Sequence, residues 1–126
     1  MKLWMWITLA VVIAVAAAVV YAYSKPNPNA GDTTKLQRTV SSTEQHTLDT
    51  VTITGDQLTA ATCADGAACY LAVDGVVYDM SGFPSWMKRG RHHGIEAGTD
   101  ATEAFVKSGH ARDKLQSMPV VGRLRR

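Results

Sequence analysis

The chain has 126 residues, enough for one small globular unit at most. Thirteen Lys and Arg stand against eleven Asp and Glu, and nine against eight from Val51 to Arg126, a balance that argues against a dedicated nucleic-acid surface. No Gly-rich phosphate loop, nucleophile motif or paired-carboxylate signature is present to suggest bond-making catalysis.

Leu3 to Tyr23 is a run of 21 uncharged residues, with Thr8 its one clearly polar member. That length crosses a bilayer core as a helix, and Trp4 and Trp6 at one end with Tyr21 and Tyr23 at the other suit its two interfaces. Residues 1–23 therefore read as a membrane anchor or a signal segment. The apolar run is long for a cleaved signal, which favours a retained single-pass anchor. Counting nearby charges, with Lys2 before the run and Lys25, Lys35 and Arg38 after it, would keep the following part in the cytoplasm. The signal-like start argues for export, to the extracytoplasmic (periplasmic) side.

Residues 24–50 are rich in Pro, Asn, Ser and Thr and nearly empty of large apolar side chains, so they read as a flexible linker, with His46 an exposed histidine of no assigned role. A coil of this length allows the domain to search tens of ångströms around its anchor. The folded domain is expected over residues 51–126.

Cys63 and Cys69 are the chain's two cysteines and flank a turn-like Asp65-Gly66. They suit a small disulfide loop, which an exported domain can keep. Reduced structural thiols are the next reading; a zinc site would want a tighter pair and a second pair in register. Tyr70 to Val73 and Val76 to Met80 are separated by Asp74-Gly75, a two-residue turn that predicts a β-hairpin. Asp100 and Glu103, at capping-box spacing, predict a short helix over about Asp100 to Lys107 stopped by Ser108-Gly109, which explains both carboxylates without catalysis. A second short helix is expected from Ala111 to Ser117, ended by Pro119, and then an extended VVGRLRR. Short helices around a small sheet make an α+β domain.

His92, His93 and His110 bracket the first of these helices. Loops at the two ends of one helix can face each other across a cleft and pinch a flat cofactor, because a neutral imidazole offers a lone pair to iron. Two such ligands leave iron no open position, which favours electron transfer over oxygen chemistry. Spacing alone is weak support, since loop histidines are common. Lys88, Arg89 and Arg91 lead into the pair and can hold carboxylates of an anionic ligand, although a solvated basic loop explains them equally. Phe83, Trp86, Phe105, Leu71, Leu115 and Val76 are candidates to line an apolar cleft, or plain core.

In chain order, YLAVDGVVYDMSGFPSW, HHG, AGTDATEAF and SGH resemble the cytochrome b5-like haem/steroid-binding family, over about Ile53 to Leu124 with a closing PVVGRL like that of a short bacterial branch. The resemblance implies a small cytochrome b5-like domain whose hairpin-containing sheet and short helices form a haem cleft. It also implies haem b (iron protoporphyrin IX) as cofactor. His92 matches the histidine of the family's His-x-Gly element, His93 stands where proline is common, and His110 matches the second axial ligand. Only four residues separate His92 from Ala97, so the second glycine and the helix expected after it are missing, which leaves His93 as a substitute for His92. The function implied is an electron carrier, not itself an enzyme, serving redox partner proteins, and the apolar run, which the resemblance does not cover, would tether it to the membrane. The alternative is a module that binds haem or a hydrophobic ligand without redox turnover. Arg123, Arg125 and Arg126 can meet anionic lipid or an acidic partner, or simply solubilise the end.

Overall fold

The computed structural model describes residues 2–87 and 89–126. The apolar run forms one helix, α1 (Leu3–Ser24), with no buried residue. Its 22 residues span about 33 Å, and it is long and apolar enough to cross a membrane. A signal sequence at the same position would meet the same test.

Four strands make the main sheet: β1 (Thr52–Thr54), β2 (Tyr70–Val73), β3 (Val76–Asp79) and, two short strands later, β6 (Val120–Arg125), in the order β1-β6-β3-β2. β6 runs parallel to β1 and antiparallel to β3. The β2–β3 hairpin pairs Tyr70 with Asp79 and Val73 with Val76. Its turn is the expected one, with Asp74 and Gly75 at φ +51° and +76°, the left-handed pair that matches strand twist. Alternation along β2 and β3 splits the apolar residues between two faces. Ala72 and Val77 pack with Ile53 and Leu58 on one side. Leu71, Val73 and Tyr78 face the larger core with Trp86, Phe105, Leu115 and Met118 on the other.

The remaining elements are short: α3 (Gly55–Ala60), α4 (Pro84–Met87), β4 (Arg91–His92), β5 (Ile95–Glu96), α5 (Thr102–Lys107) and α6 (Arg112–Gln116). The fold is thus the expected α+β arrangement. Cys63 and Cys69 form a disulfide behind the hairpin. The anticipated capping box at Asp100 and Glu103 is absent. α5 begins two residues later, because Asp100 accepts from both the amide (3.1 Å) and the hydroxyl (2.5 Å) of Thr102, while Glu103 turns outward to Lys107.

Residues 24–50 depart from the flexible linker expected of them. A short 3-10 turn (Thr33–Leu36) and α2 (Ser42–Thr50) lie between α1 and the sheet, and Lys35 and Leu48 are buried. α2 packs along β6, and Arg123 donates to the Leu48 carbonyl at 3.3 Å. Backbone approach is close here: a Cβ on Gly122 would meet the Val51 carbonyl oxygen at 2.7 Å, so only glycine fits. Polar composition misleads because the segment orders itself by hydrogen bonds more than by apolar burial. Ser41 and Glu44 form a reciprocal capping box at the start of α2.

Glu44 also pairs with Arg38, which lies beneath it over the Tyr78 ring. The bond from the Ser41 amide, followed by the Arg38 contacts, holds the Glu44 carboxyl below the ordinary glutamate range against the opposing cost of burial. A depressed carboxyl pKa stabilises the fold above its unfolded value and loses that contribution as pH falls through the folded one. Glu44→Gln is therefore expected to lower stability by about 1 kcal/mol at pH 7. The gap from the parent should close as pH drops below about 4.3, the ordinary glutamate value. Urea unfolding at pH 7 and pH 3 measures it; an equal gap at both would show that the Glu44 charge contributes nothing.

Candidate functional site

The large core opens into a cavity of about 650 Å³ whose walls come from the hairpin, the histidine-bearing loops and the short helices after it. The hairpin supplies Leu71 and, just past β3, Met80. The turn into α4 supplies Phe83, α4 itself Trp86, β5 supplies Ile95, and α5 supplies Ala104 and Phe105. Residues 101, 104, 105 and 108 line it together because i, i+3 and i+4 positions share one face of a helix.

Three imidazoles line this cavity: His92 and His93 from one loop, His110 from the loop after α5. β4 and β5 form a miniature hairpin in which His92 pairs with Ile95, and His93-Gly94 make the turn at φ +47° and +79°. This hairpin gives the two neighbouring histidines different settings. His92 is half-buried with its ring 5.5 Å from that of Trp86, whereas His93 is exposed at the turn. Burial, then the neighbouring charges of His93, His110 and Lys114, lowers the His92 pKa and keeps its imidazole neutral, the form that can ligate a metal.

Among the described residues no three His, Cys, Asp or Glu side chains converge on a point that could hold a bare metal ion. The donors fit a ligand that carries its own metal and fills the space between two loops. Apolar walls, imidazoles on separate loops and a volume of about 650 Å³ suit a flat porphyrin.

Four residues expected at the cleft are elsewhere: Arg89 and Arg91 line another groove, Leu115 lies in the core, and Val76 packs against that core. Arg91 points away, pairs with Glu96 across the β4–β5 hairpin, and lines a separate groove of about 380 Å³ with Thr62, Arg89 and Gly90. Its strand alternates outward where His92 alternates inward. Leu115 is 1% exposed but is buried within the core behind the cavity wall. Lys88 lies outside the described residues. The cations that do line the cavity are Lys107 and Lys114, which were not singled out from the sequence. Helical spacing was the available signal: Lys114 lies four residues before the buried Met118, and Lys107 ends the helix that carries Phe105. Lys107 is engaged by Glu103 at 2.6 Å.

Fold and cleft together define a small α+β domain built to hold a flat, largely apolar cofactor between two histidine-bearing loops. The family described as "Cytochrome b5-like Heme/Steroid binding domain" matches residues 56–125, and the chain belongs to it. That family binds haem. Among solved structures, a cytochrome b5 domain protein from Hadesarchaea is 37% identical, with a TM-score of 0.54 over 60% of this chain and 99% of that one. A cytochrome b5 domain protein from Methanococcoides burtonii is 34% identical, with a TM-score of 0.55 over the same 60% and 99%. Comparison with curated proteins gave no match.

Proposed function

We propose that the protein is a membrane-tethered b-type cytochrome that carries single electrons, with haem b held between His92 and His110. The observation that carries this reading is that one apolar cavity is lined by imidazoles from two separate loops. Haem bound there supplies a one-electron couple. His92 and His110 would hold its iron from the two loops, which would leave no position for oxygen or substrate. Phe83, Trp86 and Phe105 exclude water from the cofactor's faces, and Lys107, Lys114 and Ser108 are the polar groups of the lining that can meet its carboxylates. The domain accepts one electron from a reduced partner protein and passes it to an oxidised one, with no bond made or broken.

α1 anchors the protein in the membrane, and the disulfide favours an oxidising, extracytoplasmic location for the domain. The test is the spectrum of the full chain in detergent micelles after haem is added. A low-spin spectrum in both oxidation states, reversible on one-electron reduction, with no uptake of carbon monoxide by the reduced form, is expected. Prompt carbon monoxide binding would reveal an open position and replace the electron carrier with a haem-binding module. A colourless protein would exclude haem function altogether.

A further inference from the structure

Among the described residues Lys35 is the one charged residue that is buried, and it lies outside the cavity lining. Lys35 is 3% exposed, on a segment that composition marks as linker. Its ammonium donates to the carbonyls of Asn29 (2.7 Å), Ser108 (2.8 Å) and His110 (3.1 Å), so its three protons have three acceptors. It lies 4.8 Å from the centre of the Phe105 ring, which lines the cavity. Among the described residues no carboxylate forms an ion pair with it.

The same segment meets the rest of the His110 loop. The side-chain amides of Asn27 and Asn29 both donate to the Gly109 carbonyl, at 3.4 and 3.2 Å. A Cβ on Gly109 would collide with the Asn27 side chain. The Gly31 amide donates to the Val106 carbonyl at 2.8 Å, and Arg112 reaches back to the Thr34 carbonyl at 2.9 Å. All three carbonyls of Ser108-Gly109-His110 thus accept from the segment between α1 and α2. A three-residue loop with no regular structure of its own has its backbone set from outside.

We propose that residues 27–36 are a clamp on the loop that carries His110, with Lys35 as the positioning residue for that ligand. The proposal rests on the haem reading above. A loop left free must be ordered each time its imidazole ligates, whereas a preset loop holds the ligand in place and slows cofactor escape. The unpaired ammonium against the His110 carbonyl also favours the reduced, less positive state of a nearby metal. Asn27 follows the end of α1 by three residues, so its Cα lies within about 11 Å of that of Ser24. The clamp therefore holds the second ligand beside the end of the membrane helix instead of on a long free tether.

The test compares the full chain in micelles with Lys35→Met and Arg38→Met. Arg38 is a cation on the same segment that bonds Leu115 and Glu44 and no atom of residues 108–110. Haem transfer to excess apomyoglobin is expected to be at least tenfold faster in Lys35→Met, with a lower midpoint potential, and within twofold of the parent in Arg38→Met. Hydrogen exchange of the haem-free chain reads the clamp separately: amides 108–111 should lose protection in Lys35→Met alone. If Lys35→Met fails to fold, the pair Asn27→Ala and Asn29→Ala, which removes both Gly109 bonds together with the Asn27 oxygen's local bond to the Asn29 amide and leaves Lys35 in place, should accelerate haem loss about threefold. Unchanged loop exchange in the Lys35 variant, or equal effects of the two single variants, would overturn the clamp. Loss of low-spin binding in His110→Ala tests the ligand reading itself; its failure beside altered loop exchange would remove the haem role and leave a structural strap.

Discussion

His92→Ala and His110→Ala are each expected to abolish the low-spin haem spectrum, while His93→Ala leaves it intact. The two neighbouring histidines share the cavity lining but not its shelter. His92 is half-buried beside Trp86 with its pKa pushed down by burial, so it is neutral and already oriented. His93 occupies an exposed, left-handed turn position and must give up solvation to reach the same space. Removing a group that orients a metal ligand typically costs roughly 10–100-fold in affinity, and removing the ligand itself costs more. The His92 and His110 variants should therefore bind haem at least about a hundredfold more weakly, or as a high-spin form, in spectral titration. Persistence of the low-spin spectrum in His92→Ala with its loss in His93→Ala would transfer the ligand to the turn.

A second large effect is expected where composition predicts none. A chain cut to begin at Val51 should lose much of its stability, whereas one cut to begin at Lys25 should keep it. The shorter chain lacks Leu48, which is 6% exposed against the sheet, and burial of such a side chain contributes about 2 kcal/mol. It also lacks Arg38 over Tyr78 with its 3.0 Å bond to the Leu115 carbonyl, and Lys35 with two more, to the Ser108 and His110 carbonyls. Such hydrogen bonds contribute about 1 kcal/mol apiece, so the loss is on the order of 5 kcal/mol in a domain whose total is of similar size. For a domain this small that is a fall of about 20 °C or more in melting temperature. Circular dichroism melts of the two truncations decide it; coincident transitions would show that the segment only rests on the domain.

The difference between what was legible and what was not follows the range of the interactions. The Asp74-Gly75 turn, the apolar run of α1 and the extended end are local, because turn chemistry, hydropathy and alternation act over a few neighbouring residues. The His92 and His110 positions were legible through the order of short motifs around them. Arg91 was misread because its charge was visible but its strand alternation was not. Leu115 stood open between cleft and core, because an apolar helical residue can face either, and it packs in the core. Asp100 bonds Thr102 instead of the Glu103 amide, so the capping box does not form and Glu103 pairs with Lys107.

By itself the sequence determined a long apolar helix at the start, a small α+β domain with a tight hairpin, a cysteine pair able to close a loop, and the histidine loops around α5. Tertiary structure alone decided that the polar stretch between helix and domain is folded, that Lys35 is buried against the His110 loop, and that Lys107 and Lys114, not Arg91, line the cleft. The reason is physical. Lys35 meets its Ser108 and His110 partners across 73 and 75 positions of chain, and a buried ammonium is stable only where carbonyls from distant segments converge on it, a condition no local pattern encodes.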